Sequence, residues 1–293
     1  MTLQQLRYLT AVADASSFAE AAQLCGVTQP TLSAMVAKLE RELDARLLDR
    51  RRKPVVPTAL GRAVVARARQ VLAQAASIPD LVAESRDDLT GAVELGVLPT
   101  VAPYLLPAAL STLTSRHPEV RLTIHELKTA EIAARLADGR LGLGIVAAPH
   151  PALADLHTVP LYDEAFYAYA KTPPAKRYLL PEDIDPEELW VLEEGHCFGD
   201  QVLDLCTLSR GAHALRYASG SIDTLKRLVD ARGGVTVLPE LAVRELRPGE
   251  RDRVRAFVAP VPRRTVALAM RRDFVRRRLA GTLTAVVREV AAI

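Results

Sequence analysis

Two of the chain's three cysteines stand nine positions apart in EEGHCFGDQVLDLC, as Cys197 and Cys206. Gly195 and His196 precede the first, and Asp200 follows it by three positions. Four chemistries fit these residue types. Buried cysteines are common and inert. A metal could draw on the imidazole and both sulfurs, but the spacing matches no usual zinc pattern and a fourth ligand is not evident. A Cys–His nucleophile is a third option, weakened because neighbours in sequence usually point apart. A redox switch is the fourth. Gly195 breaks the preceding strand and lets a helix begin near Cys197, and a helix N-terminus favours the thiolate, the reactive form.

The elements that must position these groups come from the rest of the chain. Its 293 residues favour two domains, and 49% hydrophobic with 25% charged residues is ordinary globular composition. Net charge is only +3, but residues 1–70 hold eleven Lys/Arg against six Asp/Glu. That local excess is compatible with nucleic acid. The opening MTLQQLRYLTAVADA lacks a basic segment followed by an apolar one, so no secretory signal is expected. Three cysteines are too few for a disulfide scaffold, and an intracellular, cytoplasmic protein is the simple expectation.

Residues 3–14 carry apolar side chains at helical spacing. Ser16 and Ser17 offer a cap for a second helix, Phe18 to Leu24, and Cys25-Gly26-Val27 reads as a tight turn. Cys25 is expected to pack. Thr28 then caps a third helix with Pro30 in its first turn. Helix, three-residue turn, helix is the helix-turn-helix spacing. The run Arg50, Arg51, Arg52 and Lys53 reads as a loop or a phosphate-following wing. Thr58 can cap a long helix from about Ala59 to Ser77, whose seam of Val64, Val65, Ala68, Val71, Leu72 and Ala75 suits packing or a dimer coil. Pro79 is expected to end or kink it, and RDDLTG (86–91) to link onward. From Ala92, VELGVL, VRLTIHEL and LGLGIVAA alternate with helical stretches, a rhythm that predicts a parallel sheet. YDEAFYAYA, ELWVLEE and GVTVLP supply further strands, and TVALAM after Arg263-Arg264 is expected to return to the first half. Two α/β subdomains with a cleft between them follow.

AAQLCGVTQPTLSAMVAKLERELDARLLDR, with the linker helix and α/β half behind it, resembles the LysR-type transcriptional regulators over nearly the whole chain. LPTVAPYLLP, LTIHELKT, LEEGHCFGDQVLDLC and VPRRTVAL are similar to the peroxide-sensing members of that family. The resemblance implies an α/β protein: a winged helix-turn-helix at 1–58, a linker helix at 59–90, and a periplasmic-binding-protein-like (Rossmann-like) effector domain at 91–293. Its subdomain I would span about 91–160 and 264–293, subdomain II about 161–263. It also implies a homotetramer on double-stranded promoter DNA that recruits RNA polymerase once oxidised, with no cofactor and no metal. Three positions depart from the family pattern: Gly142 where an acidic residue is usual, a one-residue-longer ASGSIDTL, and Pro79.

On this resemblance Thr28, Gln29, Pro30, Thr31 and Ser33 meet the DNA. A glutamine amide can pair with adenine and a threonine methyl can touch a thymine methyl. Arg50, Arg51, Arg52 and Lys53 add salt-sensitive attraction to phosphate. Hydrogen peroxide oxidises Cys197 to a sulfenic acid, which condenses with Cys206 to a disulfide. Asp200 suits proton handling, with Arg264 as the cation that offsets it. Thr100 and Thr129, at strand ends facing the cleft, hold the peroxide, with His196 and His125 as further polar candidates. Were residues 198–206 helical, the two backbones would stand about 13 Å apart, whereas a disulfide needs roughly 7 Å or less. The helix must then unwind, with Gly199 as its weak point. The DNA-binding half argues against a thiol peroxidase, so no enzyme is expected. The alternative is a regulator answering a small organic effector in the cleft.

Overall fold

The computed structural model describes residues 1–85, 89, 91–192, 216–217 and 221–292. They fall into two compact units, Met1–Asp87 with Ala137–Arg140, and Asp88–Leu136 with Leu141–Ile293.

The first unit opens with α1 (Leu3–Ala15), α2 (Phe18–Leu24) and α3 (Gln29–Glu42). Each start is fixed by a hydroxyl: Thr2, Ser17 and Thr28 accept from the amides of Gln5, Glu20 and Thr31. Gly26, at φ 66°, makes the turn between α2 and α3 in the left-handed region that glycine tolerates. Leu9, Val12, Leu32, Val36 and Leu39 form the buried centre. Two short antiparallel strands, β1 (Leu48–Asp49) and β2 (Val56–Pro57), form the wing. Thr58 caps α4 (Ala59–Ser85) by accepting from Gly61 N at 2.9 Å. Gly61 cannot be replaced, because a Cβ there would lie 1.8 Å from the Leu47 carbonyl oxygen.

The linker helix corrects one expectation. α4 does not end before Pro79 but runs through it to Ser85. Proline lacks the amide that would bond the carbonyl four residues back, so the helix loses one bond and continues. The expected apolar seam also divides. Val65 and Ala68 are buried with α1, whereas Leu60, Val71, Ile78 and Leu81 are exposed.

The second unit contains the expected parallel sheet. β3 (Gly91–Val97) lies between β4 (Val120–Glu126) and β5 (Leu143–Ala148), parallel to both. α5 (Ala102–Arg116) and α6 (Thr129–Ala137) connect them. A long strand, β6 (His157–Ala170), carries the chain into the second half. There lie β7 (Tyr178–Leu179), β8 (Val191–Leu192), β9 (Arg216–Tyr217), α7 (Ile222–Arg232), β10 (Val235–Pro239), α8 (Glu240–Arg244), α9 (Pro248–Arg251) and β11 (Val254–Phe257). β12 (Arg263–Met270) returns as expected, antiparallel to both β5 and β6, and α10 (Arg277–Ala292) follows. The sheet order is β4-β3-β5-β12-β6-β11-β7, with β10 also on β6.

Two apolar cores result. Leu95, Leu105, Ile132, Ile145, Leu268 and Val287 centre the first; Phe166, Trp190, Leu225, Val237 and Phe257 centre the second. The strand expected at YDEAFYAYA begins earlier, at His157, so the passage between halves runs within one strand. ELWVLEE is strand only at Val191–Leu192 among the described residues. Gly142 donates to the Glu94 carbonyl at 2.9 Å and has Val93 within 3.3 Å of where a Cβ would stand.

Pro79 is exposed, so Pro79→Ala restores a helical bond without a packing cost. It is expected to stabilise the helix by about 1–3 kcal/mol, seen as higher helicity by circular dichroism and a later thermal transition.

Candidate functional site

Thr28, Gln29, Pro30 and Thr31 are all exposed at the tip of α3, as a helix that reads base edges requires. The Thr28 and Thr31 hydroxyls are 2.8 Å apart. Ser33 is half-buried and accepts from Arg50 Nη1 at 3.3 Å. Glu40, which the sequence reading passed over, organises the wing. One of its oxygens accepts from the amides of Leu47 and Leu48 at 2.8 and 3.1 Å; the other takes Arg50 Nη2 at 2.9 Å. Arg50 also lies 4.9 Å from the centre of the Phe18 ring. It therefore differs from its three neighbours, because it ties the wing to α3 and α2. Arg51, Arg52 and Lys53 are exposed, with Arg52 in a loose 3.4 Å pair to Asp49.

In the second unit the register of β12 against β6 sets Arg264 directly opposite Glu164. Arg264 Nε donates to Glu164 Oε2 at 2.8 Å, and Nη2 lies 2.7 Å from the same oxygen. Both side chains are almost wholly buried, 0% and 2% exposed, so each would be costly alone. The remaining hydrogen-bonding capacity is used. Arg264 Nη1 donates to the Thr100 hydroxyl at 3.0 Å and Nη2 to the Thr100 carbonyl at 3.2 Å. Glu164 Oε1 accepts from the amide of Leu241, at the start of α8, at 3.1 Å. One cluster thus joins the end of β3, the middle of β6, the start of β12 and α8.

Thr100 follows β3 and Thr129 follows β4, the parallel strand beside it, and both are buried. The carboxyl ends of parallel strands are where such sheets bind ligands. Because Arg264 donates to Thr100, the threonine hydroxyl keeps its own proton to donate elsewhere. Tyr104 on α5 donates to Asp223 on α7 at 3.1 Å, a direct link between the two halves. Burial and then the Asp223 charge push the Tyr104 hydroxyl up from its ordinary pKa.

Thr100 and Arg264 are therefore brought into direct contact. His125 is not brought into this cluster. Its Nε2 pairs with Glu94 Oε2 at 2.5 Å across β4 and β3. Cys197, Cys206, His196 and Asp200, with Gly195 and Gly199, lie outside the described residues, as does ASGSIDTL before Ser221. Cys25 is half-buried against the core of the first unit. Among the described residues no group of three or more His, Cys, Asp or Glu side chains could hold a metal.

Glu164, like Glu40, is not legible as a site residue in the sequence. The available signal is a pair of carboxylates, Asp163 and Glu164, inside the otherwise apolar and aromatic stretch YDEAFYAYA. The partner of Glu164 could not be read because the β6–β12 register is not written in either segment.

Two substitutions separate the roles here. Glu164→Gln strands a buried arginine charge and is expected to cost about 3–5 kcal/mol in urea denaturation. The Tyr162 hydroxyl, by contrast, is buried without a hydrogen-bond partner among the described residues, and burial first, then the Glu164 charge, raises its pKa. Tyr162→Phe is expected to be neutral or to stabilise by up to about 1 kcal/mol. The unfolded phenol ionises near pH 10 while the folded one resists. Stability therefore falls as pH rises past that point, and the phenylalanine variant should show a shallower fall.

Residues 3–62 match the bacterial regulatory helix-turn-helix protein, lysR family, and residues 86–292 match the LysR substrate binding domain. The chain is 35% identical over 278 residues to the DNA-binding transcriptional dual regulator OxyR of Escherichia coli, covering 92% of this chain and 90% of that one. Full-length OxyR of Pseudomonas aeruginosa, a cysteine-to-aspartate variant, superposes with a TM-score of 0.82 at 37% identity, over 98% of this chain and 95% of that one. A hydrogen peroxide-bound cysteine-to-serine OxyR mutant of Corynebacterium glutamicum gives 0.65 at 28% identity, over 99% and 92%.

Proposed function

The chain belongs to the LysR family of bacterial regulatory helix-turn-helix proteins, and on that premise we propose that it senses hydrogen peroxide through Cys197 and Cys206 and controls oxidative-stress genes. It is a DNA-binding transcriptional regulator, similar to OxyR, and not an enzyme. The observation that carries the peroxide reading is the buried Arg264–Glu164–Thr100 cluster at the carboxyl end of β3, in a chain similar to a peroxide-bound OxyR structure.

The chemistry is a two-step oxidation. The Cys197 thiolate attacks one peroxide oxygen, the O–O bond breaks, and the leaving hydroxide takes a proton to become water. The Cys206 thiol then attacks the sulfenic sulfur, expelling a second water and closing the disulfide. Thr100, whose oxygen already accepts from Arg264, donates its proton to the bound peroxide. Thr129 holds the peroxide from the adjacent strand end. Arg264 orients Thr100; its own charge is compensated by Glu164, which makes it a positioning group more than a bare cation facing the thiolate. His196 and Asp200 supply polar contacts and proton handling, and His125, held by Glu94, is the weakest of the proposed peroxide ligands.

On the DNA side, Thr28, Gln29, Pro30, Thr31 and Ser33 meet the major groove, and Arg51, Arg52 and Lys53 follow the phosphates. Arg50 reaches phosphate only from its place between Glu40 and Ser33. The exposed Leu60, Val71, Ile78 and Leu81 on α4 fit a helix pair between two copies, the first step towards a tetramer on promoter DNA that engages RNA polymerase. No helix among the described residues is long and apolar enough to cross a membrane.

A gel shift with footprinting tests this, comparing reduced and peroxide-treated protein on promoter DNA. Oxidation should change the protected spacing, and Cys197→Ser should keep binding but lose the change. A Cys197→Ser protein that still responds moves the sensor elsewhere. In the same assay Gln29→Ala should weaken specific binding by about 1–3 kcal/mol; unchanged affinity removes Gln29 from the interface.

A further inference from the structure

Beyond the Thr100 cluster, β6, β7, β11, α8 and α9 frame a cavity of about 840 Å³. Sites for small organic ligands occupy about 300–1,000 Å³. Its wall carries Arg177, Arg244, Arg251 and Arg255 together with the rings of Tyr167 and Tyr178, and no carboxylate among the described residues. Four like charges around one concavity repel one another unless something negative lies between them.

The protein supplies little of that compensation. Arg244 pairs with Glu240 at 2.7 Å. The other three arginines have no carboxylate partner among the described residues. Arg251 is held by main-chain carbonyls, Nε to Leu246 at 3.1 Å and Nη2 to Arg244 at 3.0 Å. Arg255 is held likewise, Nε to Pro174 at 3.1 Å and Nη1 to Asp252 and Val254 at 2.8 Å each. Carbonyls fix a guanidinium in place without neutralising it. The fork of Arg251 still presents Nη1, and that of Arg255 presents Nη2, with no protein acceptor among the described residues. Arg177 makes no hydrogen bond among the described residues and lies 5.6 Å from the centre of the Tyr178 ring.

Preset, uncompensated guanidinium forks suit phosphate and carboxylate oxygens, which they bind through paired hydrogen bonds. The two tyrosine rings, with Val243 and Val254 beside them, offer an apolar surface to the rest of a ligand. We propose that this cavity binds a small organic dianion, a phosphate or paired carboxylates on a body with an aromatic face, as a second input to the regulator. The anion sits on Arg251 and Arg255, Arg177 closes over it, and the body lies against Tyr167 and Tyr178. None of these residues belongs to the peroxide cluster, so either reading can fail without the other.

Calorimetric titration of the reduced full-length protein tests the site, with phenyl phosphate and inorganic phosphate as probes. Phenyl phosphate should bind with a Kd of about 1 mM or tighter, and more tightly than inorganic phosphate by about tenfold, the worth of burying the ring. Arg177→Gln and Arg251→Gln should each weaken both probes by about tenfold. Tyr178→Ala should weaken only phenyl phosphate. Arg232→Gln, an exposed arginine ending α7, should change nothing, and unaltered melting temperatures exclude unfolding as the cause. Four results overturn the proposal: no binding of either probe, equal affinity for both, equal losses in Arg232→Gln, or binding of hexaglutamate without phenyl phosphate, which would mark an acidic-protein contact instead.

Discussion

A buried guanidinium has to be neutralised where it stands, and Glu164 does this for Arg264. The effector half is arranged around that requirement. β12 must lie in a register that sets the two residues opposite each other, and β6 must be continuous from the first core into the second. Thr100 must follow β3 closely enough to take the remaining Arg264 donors, and α8 must begin where its amide can reach Glu164. Four chain segments distant in sequence are thereby fixed to one pair of charges. A small displacement there would be felt in both cores, as the proposed redox switch requires.

The same logic operates at smaller scale in the DNA-binding half. Glu40 accepts two wing amides and an arginine, so the wing is held to the helix that carries Gln29 and Thr31. Arg50 is thus both a part of the basic run and a structural strut. The exposed tip of α3 and the exposed Arg51, Arg52 and Lys53 are presented on a frame whose own polar groups are already paired, so DNA need not disturb it.

Local signals in the chain made the helices legible. Thr2, Ser17, Thr28 and Thr58 are caps whose role follows from residue type and the apolar spacing behind them. The parallel strands showed as short apolar runs, and the return of β12 followed from its pattern. What could not be read was long-range pairing. Nothing in YDEAFYAYA sets Glu164 apart from Asp163 beside it, because its significance depends on a register a hundred positions away. His125 reads only as a further polar candidate, because nothing local announces its bond to Glu94. Of the two outcomes expected at Pro79, an end or a kink, the end does not occur, because a missing amide costs one bond and an otherwise strong helix can carry that loss. The cysteine spacing was legible at once as a chemical feature, but its pairing rests on resemblance.

Peptide mass spectrometry of the full-length protein after one equivalent of hydrogen peroxide tests the redox claim most directly. The expected product is a single Cys197–Cys206 disulfide, formed in Glu164-intact protein and absent in Cys197→Ser. A disulfide from Cys25 to either thiol, or oxidation of Cys197 that never advances to a link with Cys206, would contradict it.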